Sequence, residues 1–176
     1  KGSQWQMALA LFASMPTLRV APNVFSCNAA MSACEKASKW VGALALLDSM
    51  PGLRVAPDVL SCNAALSACE KGCEWSVALA LLGSMPVLRV AADVISCNAA
   101  ISACEKGSQW RLALALLRSM PALHIVPTVL SWTGAIGACA RASRWRLAVA
   151  LLGSMPAQRG GGHDVISCNA AVVACE

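Results

Sequence analysis

A repeat of 35 residues constrains the fold of this chain more than any other feature of its sequence. The segment Ser-Cys-Asn-Ala-Ala recurs with this period, and its last copy comes one residue late because glycines at 160–162 lengthen the last linker. A Met-Pro pair recurs in the same register. Periods of this length are typical of proteins in which similar units stack on one another. The most regular marker is tryptophan, at Trp5, Trp40, Trp75, Trp110 and Trp145.

Each unit is predicted to form two helices. In one copy the first helix is predicted from Ser96 to Glu105, with Asp93 as its N-cap and Gly107 as a stop signal. The second helix is predicted from Trp110 to Met120, because apolar side chains recur there at three- and four-residue steps. Pro121 follows at once, and proline disfavours helix in the residue before it. Every Met-Pro pair therefore indicates the end of a second helix.

A single helical hairpin cannot bury its apolar faces, whereas stacked hairpins share a continuous core. An apolar fraction of 57% fits this arrangement. The sequence therefore predicts an all-α fold, a right-handed α-α superhelix (solenoid) of stacked helical hairpins. Both ends cut through a hairpin, so we expect further repeats of the same parent chain. The predicted order is the C-terminal part of a repeat at 1–23, repeats at 24–58, 59–93, 94–128 and 129–164, and the first helix of a further repeat at 165–176.

The composition argues against a membrane protein and against a metal site. The longest uninterrupted apolar runs are far shorter than the ~20 residues that span a bilayer. Ten cysteines occur without any CxxC pair, and most come in pairs seven residues apart, too distant along a helix to bridge each other. His124 and His163 add few nitrogen ligands. We therefore predict that the cysteines are small buried side chains in a reducing compartment, with no metal and no cofactor.

The series Asp-Val-Ile-Ser-Cys-Asn-Ala-Ala-Ile-Ser-Ala-Cys-Glu-Lys, starting at Asp93, resembles the opening of a pentatricopeptide repeat (PPR). Leu117, Met120 and Pro127 match the second helix and linker of that family. The tetratricopeptide repeat has a similar period, but its pattern includes a tyrosine in the first helix, and this chain has no tyrosine. The resemblance covers the whole chain. It departs from the family in the proline after each methionine and in the high alanine content.

The resemblance implies that the first helices line a groove that binds single-stranded RNA. In this family two polar residues per unit select the base, and apolar side chains three residues earlier sandwich it. By the family's rules the four whole units would prefer 5′-U-U-Y-G-3′. The selecting pairs would be Asn28 with Asp58, Asn63 with Asp93, Asn98 with Thr128, and Thr133 with Asp164. The sandwiching side chains would be Phe25, Leu60, Ile95 and Leu130.

A basic residue follows each first selector by eight positions, at Lys36, Lys71, Lys106 and Arg141. Four cations at one place on successive first helices would form a stripe suited to a phosphate backbone. Each residue type also has a purely structural interpretation. Asn and Asp are good helix-capping residues, and a cation at a helix C-terminus is favourable by itself. The tryptophans are interpreted as packing residues, and the linker arginines Arg19, Arg54 and Arg89 as surface charge.

No catalytic constellation is visible in the sequence, because the two histidines lie in linkers and no cysteine has a base nearby. We therefore predict a binding protein without a small-molecule substrate, while a catalytic domain outside these residues is not excluded. By resemblance its compartment is the chloroplast or the mitochondrion and its role organellar RNA processing, stability or translation. No targeting segment is seen within these residues. The alternative is a protein-interaction scaffold of tetratricopeptide type that binds a peptide or partner helix in the concave groove.

Overall fold

The structure is a computed structural model that describes residues 4–155, together with Asn169 and Val172. Between residues 4 and 155 all regular structure is helical. The chain divides into two units, residues 1–92 and residues 93–176, called here the N-terminal and C-terminal units. The N-terminal unit contains α1 (Gln4–Ser14), α2 (Val24–Lys36), α3 (Trp40–Ser49), α4 (Val59–Lys71) and α5 (Trp75–Ser84). The C-terminal unit contains α6 (Val94–Lys106), α7 (Trp110–Ser119), a 3-10 turn (Pro121–Leu123), α8 (Val129–Arg141) and α9 (Trp145–Ser154).

The predicted hairpins are present within both units. In the C-terminal unit, α6 begins at Val94, two residues earlier than predicted, and α7 ends at Ser119, one residue before Met120. The first helices of the hairpins, α2, α4, α6 and α8, each begin with a capping box. In it the N-cap side chain and the side chain of a serine three residues later each accept a hydrogen bond from the other's backbone N–H. Of the predicted helix at 165–176, Asn169 and Val172 are described and are helical, whereas the rest of it and the glycine insertion lie outside the described residues. Within them, no helix is long and apolar enough to cross a membrane.

The turn inside each hairpin differs from the predicted glycine stop. Gly107 follows α6 as expected, but its φ is −83°, and the left-handed residue is Ser108, with a φ of 56°. Gln109 N–H then donates to the Cys104 carbonyl over 2.8 Å and closes the turn. Gly72 has a different role, because a Cβ at this position would lie 2.5 Å from Cδ1 of Trp40. This glycine is therefore explained by close packing rather than by backbone conformation.

Within each unit the first helices pack side by side, α2 against α4 and α6 against α8, and a second helix packs against both. Small side chains at the contacts allow the helices to approach closely. Seven of the eight described cysteines are buried, and burial raises the pKa of the Cys69 thiol to about 11, followed by a smaller effect of Glu74. These thiols are neutral at physiological pH. The prediction that they are small core residues is confirmed, except for Cys73, which is exposed.

Candidate functional site

The side chain of Asn28 joins two neighbouring repeats of the N-terminal unit. Asn28 is the fifth residue of α2 and is 9% exposed. Its Nδ2 donates to the carboxylate of Asp58, the N-cap of α4, over 3.2 Å to Oδ1 and 3.4 Å to Oδ2. Its Oδ1 accepts a hydrogen bond of 2.6 Å from the hydroxyl of Ser61. The structure thus brings the first predicted selecting pair together, and we call Asn28, Asp58 and Ser61 the Asn28 cluster.

Asp58 is held as a carboxylate within this cluster. Its Oδ1 accepts from the backbone N–H of Ser61 over 2.8 Å and lies 2.8 Å from the Ser61 hydroxyl. Burial of the carboxylate raises its pKa, but the hydrogen bonds from Ser61, Asn28 and the Leu60 N–H outweigh that effect. The pKa of Asp58 therefore lies below its ordinary value. Asp58, the last residue of its repeat, caps α4 and at the same time contacts Asn28, the first selector of the same repeat.

The C-terminal unit repeats this arrangement without a charge. Asn98 Nδ2 donates to Thr128 Oγ1 over 3.4 Å, and the Ser131 hydroxyl donates to Asn98 Oδ1 over 2.6 Å. The hydroxyls of Thr128 and Ser131 lie 3.3 Å apart. We call Asn98, Thr128 and Ser131 the Asn98 cluster. A hydroxyl here replaces a carboxylate that has two acceptor oxygens, so the two clusters offer a base different partners.

The other predicted selectors are placed as follows. Asn63 is 6% exposed in α4. Asp93 caps α6 through a hydrogen bond of 2.8 Å from the Ser96 N–H. Thr133 donates to the Val129 carbonyl over 2.8 Å within its own helix, while Asp164 lies outside the described residues. The capping interpretation therefore holds for Asp58, Asp93 and Thr128, because each is an N-cap, but the asparagines lie inside their helices.

The serine of each cluster was not predicted from the sequence. Ser61 and Ser131 are both 0% exposed, and their hydroxyls contact both selectors of the pair. The available signal was the position of each serine three residues after an N-cap, which is where a capping box places its second member.

The predicted sandwiching side chains are unusually exposed for large apolar groups. Phe25 is 78% exposed, Leu60 59%, Ile95 56% and Leu130 65%. In the N-terminal unit, Leu60 also lines a cavity of about 210 Å³ between α2 and α4, which lies beside Asn28 and Asn63. Apolar side chains next to polar groups in an open cavity are a common arrangement for ligand recognition. The remaining lining residues are Ser32, Glu35, Ala64 and Ser67.

The predicted phosphate-contacting cations are the last residues of their helices and are all exposed. Lys71 Nζ lies 2.7 Å from the Glu35 carboxylate, and Arg141 Nε lies 3.7 Å from the Glu105 carboxylate. Each glutamate belongs to the preceding first helix. These pairs between repeats were not predicted from the sequence. Within residues 4–155 no His, Cys, Asp or Glu side chains come together in a group that could hold a metal ion.

The family model of the PPR repeat matches residues 25–55, 95–125 and 130–159, which together make up slightly more than half of the chain. The chain belongs to the PPR family. Helices α4 and α5 lie outside the matched ranges, yet their 13 and 10 residues repeat the lengths of α6 and α7 in the other unit of this PPR protein. No curated protein sequence matches the chain.

Solved PPR structures share the fold. The PPR domain of Arabidopsis thaliana protein-only RNase P 1 in complex with tRNA is 12% identical, with a TM-score of 0.72 over 89% of this chain and 86% of that one. PPR10 in complex with an 18-nt psaJ RNA element is 22% identical, with a TM-score of 0.72 over 98% of this chain. Nuclear proteinaceous RNase P 2 from A. thaliana is 11% identical, with a TM-score of 0.77 over 94% of this chain. The PPR chain spans 24% of PPR10 and 37% of RNase P 2. The predicted all-α solenoid is confirmed.

Proposed function

We propose that this chain binds single-stranded RNA along its first helices, with one base at each pair of neighbouring repeats. The observation that carries the proposal is the pairing of Asn28 with Asp58 and of Asn98 with Thr128 at hydrogen-bonding distance. In both pairs the two selectors belong to one repeat, and the second, which is the last residue of that repeat, is the N-cap of the next first helix. RNA binding by structurally similar PPR proteins supports the same conclusion.

The proposed mechanism uses the remaining hydrogen-bonding capacity of the clusters. Asn28 Nδ2 carries two hydrogens, and its contacts with Asp58 are long, so a base can take over one of them. Uracil presents an N–H donor between two carbonyl acceptors, which suits an amide donor beside a carboxylate acceptor. Phe25 and Leu60 supply apolar surface on which the base rests. A preference for uracil at the Asn28 cluster follows.

The proposed base preference of the four whole repeats is 5′-U-U-Y-G-3′. Asn63 with Asp93 repeats the Asn-Asp pair, and Asn98 with Thr128 favours a pyrimidine because the hydroxyl of threonine discriminates less. Guanine at the last place depends on Thr133 and Asp164. We keep the repeat boundaries predicted from the sequence, because the second residue of each selecting pair is the last residue of its repeat.

The proposal is for a binding protein, and RNA binding of this kind requires no cofactor. Its partner is single-stranded RNA, and the predicted further repeats of the parent chain would lengthen the recognised sequence. Catalysis is not proposed for these residues, although two of the structurally similar proteins are RNases P. The role in organellar RNA processing, stability or translation, in the chloroplast or the mitochondrion, stays a prediction from the family resemblance.

Fluorescence anisotropy with labelled RNA tests the proposal. RNAs with a UUUG or UUCG core should bind more tightly than poly-A or an RNA duplex. The logarithm of the binding constant should fall with the logarithm of salt concentration, by about 0.7 for each phosphate contact. Lys36→Gln should reduce the slope, whereas Arg54→Gln, which removes an exposed linker charge instead, should not. A folded, helical protein that binds none of these RNAs at low salt would favour the peptide-binding scaffold.

A further inference from the structure

Two of the cations proposed to contact RNA phosphates form ion pairs with glutamates of this chain. In the N-terminal unit Glu35 of α2 pairs with Lys71 of α4, and in the C-terminal unit Glu105 of α6 pairs with Arg141 of α8. The same positions are paired in both units, although lysine is replaced by arginine. Lys36 is also exposed, but it makes no ion pair with any residue between 4 and 155. The predicted phosphate-contacting residues are therefore not electrostatically equivalent.

The glutamates are less exposed than the cations they contact. The side chains of Glu35 and Glu105 are 23% and 27% exposed, whereas those of Lys71 and Arg141 are 39% and 57% exposed. Glu105 lies against the backbone of α8, because a Cβ on Gly137 would meet its Oε1 at 2.6 Å. Gly137 precedes Arg141 by four residues, which places both on one face of the helix. The carboxylate is thus fixed beside the cation, while the cation reaches into solvent.

Fold stability is a poor explanation for these glutamates. Each is the penultimate residue of its own first helix and contacts the last residue of the next one. Both helix ends carry partial negative charge, which disfavours a carboxylate. Exposed ion pairs also contribute little to stability. Glu35 instead lines the cavity that Asn28 and Asn63 also line, on the face proposed to bind RNA.

We propose that Glu35 and Glu105 compete with RNA phosphates for Lys71 and Arg141. This inference rests on the proposed function. A carboxylate and a phosphate oxygen present the same kind of acceptor to a cation, so RNA contacts Lys71 or Arg141 only when the internal ion pair opens. Opening the pair leaves a glutamate that attracts a counterion and repels the RNA backbone. Glu35 and Glu105 therefore weaken the sequence-independent attraction between cations and phosphates. Contacts with the bases then contribute a larger share of the binding free energy.

Charge-neutral variants test the competition. Glu35→Gln and Glu105→Gln keep the size of the side chain and release the cation. Each should tighten binding to a UUCG-core RNA about two- to fivefold, the range expected for one exposed ion pair. Each should also steepen the salt dependence by about 0.7 in slope, because one more phosphate is neutralised. Asp48→Asn is the matched control, since it removes one negative charge from the exposed surface of α3.

A second pair of variants separates the competition from a general charge effect. Lys71→Gln should weaken RNA binding less than Lys36→Gln does, because Lys71 is already paired. In the Glu35→Gln background the two lysine substitutions should have similar effects. Circular dichroism of each variant shows whether the helices are intact.

The outcomes distinguish this inference from the proposed function. If the wild type binds RNA and the glutamine variants behave as Asp48→Asn does, the proposed competition is overturned and RNA binding is unaffected. If the glutamine variants bind RNA under conditions in which the wild type binds only weakly, the proposed competition is supported. If neither the wild type nor any variant binds RNA at low salt, the proposed function fails, and the competition fails with it.

Discussion

The Asn28 cluster of the N-terminal unit and the Asn98 cluster of the C-terminal unit have the same geometry but different chemistry. In both, a serine hydroxyl donates to the asparagine over 2.6 Å, and the residue that caps the next first helix accepts from Nδ2. The N-cap is an aspartate in one unit and a threonine in the other. Either residue can cap a helix, so the fold tolerates the exchange. The exchange of aspartate for threonine therefore keeps the helix cap, which the fold requires, and changes the hydrogen-bonding group that a base would contact.

The exchange also changes the electrostatics of the two clusters. Asp58 brings a charge to a half-buried place and is stabilised there by hydrogen bonds that lower its pKa. Thr128 brings no charge and makes longer contacts, at 3.3 and 3.4 Å. Changes at these two positions should therefore affect stability, base preference and pH dependence to different degrees.

The largest expected effect comes from removing the N-cap altogether. Asp58→Ala removes the cap of α4 and leaves Nδ2 of the buried Asn28 without its acceptor. Loss of a cap costs about 1 kcal/mol, and an unsatisfied buried donor costs about 1–3 kcal/mol more. We expect the free energy of unfolding, measured by urea denaturation, to fall by about 2–4 kcal/mol.

Asp58→Thr is the matched control, because it copies the Asn98 cluster. It should lower the free energy of unfolding by less than about 1 kcal/mol, since threonine still caps the helix and still accepts from Asn28. Equal losses in the alanine and threonine variants would contradict the view that the two clusters are structurally equivalent.

The next effect is on base preference. Thr128→Asp should give the Asn98 cluster the chemistry of the Asn28 cluster and make the third base of the site a preferred uracil. One hydrogen bond gained or lost corresponds to about a two- to tenfold change in relative affinity. Competition between RNAs with UUUG and UUCG cores measures the change. Asp58→Thr should relax the preference at the first base, and unchanged preferences in both variants would show that the N-cap residues do not select bases.

The smallest effect is on pH dependence. The pKa of Asp58 is lower in the folded chain than its ordinary value of 3.8, so its carboxylate stabilises the fold above that pH. This contribution decreases as the pH falls through 3.8 and is lost below the lower pKa of the folded state. Asp58→Thr should therefore unfold less readily on acidification, relative to its own stability at pH 7, than the wild type. Thermal unfolding over an acid pH series measures this, and identical acid sensitivity would contradict the assignment.

The sequence predicted the hairpins because their determinants are local. Apolar spacing, the N-caps and the Met-Pro pairs each act within a few residues, and the 35-residue period shows that they recur together. The glycine stop was the exception. The left-handed residue is Ser108, one position after the predicted stop at Gly107, and Gly72 is needed because Trp40 packs against it, which is a contact between repeats.

Contacts between repeats explain most of what the sequence did not predict. The Glu35–Lys71 pair joins residues 36 positions apart, and the Ser61–Asn28 hydrogen bond joins residues 33 apart. Such pairs depend on how neighbouring first helices pack, because several side chains at each helix end lie within reach of the next repeat. The resemblance to the PPR family supplied the selecting pairs, but it gave no reason to expect a serine in each cluster or a carboxylate beside Lys71 and Arg141.

Photo-cross-linking locates the RNA on the protein and tests the central claim most directly. A UUCG-core RNA with a photoreactive thiouridine at its first base would be bound, irradiated and digested, and the attached peptide identified by mass spectrometry. The account predicts attachment within α2 or α4, at residues lining the cavity between Asn28 and Asn63, and its loss on competition with unlabelled UUCG RNA. Attachment confined to the second helices, around Trp40 or Trp75, would contradict the assignment of the first helices as the RNA-binding face.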